Sequence, residues 1–115
     1  GCECMTTLSP AFPLAWSSEV VDTSALVIVE GELDRHTAPA LAGHLLWLLA
    51  ANPRQLVLDT FRVSFADAGA LELLHDIGAA GLERGCTVQL APAGDALHRL
   101  VAIVGVPHGI TLEAW

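Results

Sequence analysis

The chain has 115 residues, 53% of them hydrophobic, with a mean hydropathy of +0.55 and a formal net charge of −8 carried against five arginines and no lysine. That length supports one domain with a true core, and so acidic a surface repels nucleic acid and anionic lipid, which excludes both as expected partners. The longest apolar runs, 25–29 and 45–51, fall far short of the roughly 20 residues of a spanning helix.

No charged and then apolar leader opens the chain, so neither export nor direct membrane insertion is expected. The apolar excess is assigned to the core, with room for an exposed patch that meets a partner.

Residues 1–11 carry no periodicity and are expected to be disordered or non-native, leaving 12–115 as the folded unit. Phe12, Leu14 and Trp16 alternate, which indicates a strand with one buried face. Residues 19–24 read as a turn. Residues 25–29 are continuous and β-branched, so a central strand buried on both faces is expected there. Gly31 ends it, and Glu32, Leu33 and Asp34 form the next loop. Thr37 stands as helix N-cap with Pro39 in the first turn. Leu41, Leu45, Leu48 and Leu49 follow as a core-facing stripe, and Asn52 and Pro53 stop the helix. Trp47 lies off that stripe and is expected at a contact surface.

Residues 55–59 form a second buried strand. A loop then carries Arg62 and Ser64, and a helix runs from Asp67 to Glu83 with Gly85 as its C-terminal cap. Residues 87–91 alternate as a strand, and 92–94 turn the chain. Leu97, Leu100, Val101 and Val104 mark a third helix, which Gly105 and Pro107 end. Residues 109–112 form a last short strand. The order β, β, α, β, α, β, α, β predicts a single α/β domain: a mixed sheet of four or five strands with packed helices.

Three cysteines, Cys2, Cys4 and Cys86, make no disulfide framework, which points to a reducing, cytoplasmic setting. The five histidines lack the spacing of a metal helix, so no metal and no cofactor is expected. Ser64, His75 and Asp67 can be written as a triad, but without a strained nucleophile turn they carry no catalysis, and an enzyme is not expected.

Three stretches together resemble the STAS domains, the family of bacterial anti-sigma factor antagonists and of sulfate-transporter tails. They are Gly31, Glu32, Leu33 and Asp34 after a buried strand, then the helix start at 37–41, then 56–59 running on through 63–71. The resemblance covers about residues 12–114. It implies a domain that binds an anti-sigma factor with an ATP-binding kinase fold and so regulates sigma factor availability by partner switching. The partner-binding face it implies comprises Glu32, Asp34, Thr37, Arg62, Ser64, Asp67, Ala68, Gly69, Ala70 and Leu71.

Phosphorylatable members follow the helix-start aspartate with two serines, and the anti-sigma kinase modifies the second. Here those positions are Ala68 and Gly69, so the hydroxyl is absent. Ser64 and Thr60 are the nearest remaining hydroxyls and stand as alternative phosphosites. A second reading is a STAS-like regulatory subunit docking on an ATPase of a lipid or anion transport complex. A third is a small-ligand carrier with an apolar cavity. Homodimerisation stays open.

Overall fold

The computed structural model describes residues 13–113. Phe12, Cys2, Cys4 and Trp115, and the expectation of a loose start over 1–11, lie outside the described residues. The elements are β1 (Leu14–Val21), β2 (Ser24–Leu33), α1 (Ala38–Leu49), β3 (Gln55–Ala66), α2 (Ala68–Arg84), β4 (Thr87–Leu90), α3 (Asp95–Val104) and β5 (Ile110–Leu112). The sheet runs β1-β2-β3-β4-β5. β1 pairs antiparallel with β2, and every later pair is parallel. Each parallel step needs a crossover, and α1, α2 and α3 supply the three. The fold class is that expected: α/β, with a five-stranded mixed sheet.

The hairpin is tighter than the sequence indicates. Val21 pairs with Ser24, so the turn is only Asp22 and Thr23, and residues 19–21 belong to β1. Asp22 takes φ +55°, a conformation aspartate tolerates better than most residues. β2 does not end at Gly31. Gly31 sits at φ +114°, and a side chain there would run into the Pro13 carbonyl, which accepts a hydrogen bond from Glu32 N at 2.8 Å. The glycine lets the strand continue beneath the entering chain, and Leu33 still pairs with Ala66.

β3 likewise runs on through the expected loop. Glu30 stands opposite Arg62, Gly31 opposite Val63 and Glu32 opposite Phe65, with register breaks on either side of Glu30 and Gly31. Two bulges absorb the mismatch and bend the strand pair.

The core lies under α1 and α2. α1 buries Ala38, Leu41, Leu45, Leu48 and Leu49, and α2 buries Leu73, Leu74 and Ile77. Val27, Val29, Leu56, Leu58, Val88 and Leu90 meet them from the sheet. Each buried leucine, isoleucine or valine among them contributes about 1.5–3 kcal/mol. The alternate positions of β2 are not closed: Leu26 is half-buried and Ile28 is 37% exposed. The expectation of a strand buried on both faces is therefore corrected. Cys86 is buried, and burial pushes its thiol up.

Trp47 is 67% exposed, as its place off the leucine stripe predicts. Its ring stacks on His44, which in turn lies against Trp16. His44 Nε2 is 3.1 Å from Ser18 Oγ, and partial burial lowers the imidazole pKa. No described helix is long and apolar enough to cross a membrane.

Candidate functional site

The two strand-to-helix turns that follow β2 and β3 meet at one end of the sheet. In the first, the Asp34 carboxylate folds back on the chain. Its Oδ1 accepts from His36 N at 2.8 Å and from Thr37 N at 2.9 Å. The Thr37 amide does most to hold the Asp34 carboxyl below its usual value, with the His36 amide assisting and desolvation opposing. Thr37 occupies the N-cap position, but its side chain makes no capping bond. Instead its hydroxyl donates to Glu32 O at 2.8 Å and accepts from Asp34 N at 3.0 Å. Asp34 is thus the residue that satisfies the free amides before α1, and Thr37 ties the turn to the end of β2.

The second turn is simpler. Asp67 is extended, and its Oδ1 accepts from Gly69 N at 2.8 Å, an ordinary N-cap. At the far end Gly85, at φ +70°, closes α2 as expected.

Gly69 joins the two turns. A Cβ built there would lie 2.6 Å from Arg35 Cα and 2.6 Å from the Asp34 carbonyl carbon, closer than real contacts allow. Gly69 is buried and Ala70 is fully buried. At Gly69 the chain's own Asp34–Arg35 backbone fills the side-chain space. Ala68 is exposed and Leu71 is half-buried.

Glu32, Arg62 and Ser64 come to this end on the paired strands. Ser64 is exposed and its hydroxyl donates to Gly31 O at 3.3 Å. Arg62 is exposed on β3, not on a loop. The acids nearest to it in sequence turn toward amides: Asp59 Oδ1 accepts from Phe61 N at 3.1 Å, and Asp67 caps α2. Thr60 is 2% exposed and its hydroxyl has no partner among the described residues. No kinase reaches it in the folded chain, so it is withdrawn as an alternative phosphosite.

Sequence reasoning missed Arg35 and His36, exposed on the first turn, and Phe61 and Phe65, which are 65% and 49% exposed. Two exposed phenylalanines on an extended strand were the available signal, hidden by reading 60–66 as a loop.

Residues 18–113 match the protein family described as Mlab, STAS domain. The chain belongs to the STAS domain family. The crystal structure of an anti-sigma factor antagonist from Mycobacterium paratuberculosis is similar, with a TM-score of 0.73 and 30% identity over 85% of this chain and 83% of that one. The anti-sigma factor antagonist SpoIIAA in its unphosphorylated form has a TM-score of 0.72 at 14% identity, over 86% of this chain and 88% of that one. A substituted form of RsbS from Moorella thermoacetica has a TM-score of 0.69 at 19% identity, over 84% and 83%. Those last two establish the fold alone. A comparison with curated proteins finds no match. In this STAS domain the paired turns at 32–37 and 67–71, with Arg62 and Ser64 beside them, form the candidate interaction face.

Proposed function

We propose that this STAS domain is a binding module of the anti-sigma factor antagonist type. It docks on an anti-sigma factor with an ATP-binding kinase fold and thereby releases a sigma factor, with no catalysis of its own. The docking face consists of Glu32, Asp34, Thr37, Arg62, Ser64, Asp67, Ala68 and Leu71, carried on the two fused turns. The carrying observation is Gly69. Where the resemblance places a phosphorylated serine, this chain has no hydroxyl, and its own Asp34–Arg35 backbone fills the side-chain space. The face is accordingly read as a permanent binder, outside the control of phosphorylation at the helix start.

The similarity to an anti-sigma factor antagonist at 30% identity supports the partner class. The setting is proposed to be the bacterial cytoplasm, where such a kinase would hold its sigma factor.

The test is titration of the domain against the anti-sigma kinases of its own organism with ATP, reading affinity and intact mass together. The expected result is a complex with no added phosphate. Asp67→Lys is expected to weaken it at least tenfold by reversing a charge at the interface. A gain of phosphate on Ser64 would overturn the permanent-binder reading. Failure to bind any such kinase would overturn the partner class and turn attention to the ATPase of a membrane transport complex.

A further inference from the structure

α1 contains a glycine that no packing contact among the described residues requires. Gly43 sits in the middle of the helix, where glycine costs about 0.5–1 kcal/mol relative to alanine. Its φ is ordinary, and among the described residues a Cβ added there meets nothing within 4 Å. Gly31 and Gly69 each make room for the chain's own backbone; Gly43 makes room for nothing among the described residues.

It lies in a groove of about 380 Å³ between α1 and α2. Ala38, Ala42 and Gly43 line the α1 side, with Leu46, itself 46% exposed, at its far end. From residue 38 to 46 this stripe runs about 12 Å, slightly more than two helical turns. The opposite wall carries Glu72 and Asp76, one turn apart on α2, and Arg35 stands at the near end. Among the described residues neither acid has a cationic partner. Two like charges at that spacing disfavour the helix slightly.

We infer that this groove is the seat of an α-helix from the partner protein, one that carries basic side chains against Glu72 and Asp76. The low α1 wall lets a third helix axis approach α1 and α2 closely, as ridge-in-groove packing requires. The two unpaired carboxylates set the charge of its flank, and Arg35 favours an acid one end along. The inference rests on the reading of the domain as a docking module and extends its face from the two turns along the helices.

The test uses two synthetic amphipathic helices with the same alanine and leucine stripe, one flanked by arginines and one by glutamates. Binding to the full chain is followed by calorimetry and by backbone amide shifts. The arginine helix is expected to bind and to move the amides of 38–46 and 69–76. Gly43→Leu fills the groove and is expected to weaken binding at least tenfold while leaving the melting temperature unchanged or raised. The pair Glu72→Arg with Asp76→Arg is expected to reverse the preference to the glutamate helix.

Equal binding of both helices, binding of neither, shifts mapped elsewhere, or a Gly43→Leu chain of unchanged affinity would each overturn the inference. An anti-sigma kinase bound equally by wild type and Gly43→Leu keeps the proposed function and removes the groove. Binding of the arginine helix alone, with no kinase bound, keeps the groove and removes the kinase.

Discussion

Two strands of the sheet hand the chain to a helix through an aspartate, and the two aspartates hold different things. Asp67 caps one amide of its own helix and does little else. Asp34 accepts two amides, while the Thr37 hydroxyl bridges back to the end of β2. The first turn is braced from within. The second is positioned from outside, by the first turn lying against Gly69. A binding face built this way has one stiff half, and the other half takes its geometry from it.

That dependence is breakable at Gly69. Gly69→Val should drive the Asp34–Arg35 backbone away and destabilise the domain by about 1–3 kcal/mol, the usual range for overpacking, read as a lower denaturant midpoint at unchanged slope. Amide shifts in 32–37 should accompany it; shifts confined to α2 would show the turns to be independent.

Asp67→Ala comes next. Losing one helix cap costs about 1 kcal/mol, and amide exchange should quicken at the start of α2 while 34–37 stays protected.

The smallest effect is expected from acid. The folded Asp34 carboxyl lies below its unfolded value, which is about 3.9. Its contribution is therefore complete above that value and is lost as the pH falls through the lower folded one. The denaturant midpoint of wild type should fall across that window by more than that of Asp34→Asn. Identical acid limbs would show that the carboxylate charge is not what braces the turn.

The helices were legible because their signals are local. Asp67 and Gly85 bracket α2, and the leucines of α1 repeat at helical spacing, so both stood where the sequence put them. The ends of β2 and β3 were not legible. Gly31 reads as a terminator and Thr60, Arg62 and Ser64 as a loop, yet all four lie in strands, because the pairings that extend those strands, Gly31 with Val63 and Arg62 with Glu30, join residues about thirty positions apart. Thr37 looked like the capping side chain for the same reason. Its proper partner, Glu32 O, is fixed by a strand end that the local composition does not reveal. Of the candidate face, the acids and the missing hydroxyl could be read from the chain. The fit of Arg35 over Gly69, the exposure of Phe65 and the spare room at Gly43 needed the packing.

The spatial order of the strands is also their order along the chain. No strand has to be inserted between two already paired, and each new one finds its neighbour in the one just before it. Contacts of that kind keep the mean sequence separation low for a largely parallel sheet, which favours fast folding. It also lets the domain assemble as it is synthesised: the β1–β2 hairpin forms first, and each helix-and-strand unit then adds to a growing edge. β5, only three residues long, completes the series and leaves the last edge too short to recruit a further strand readily.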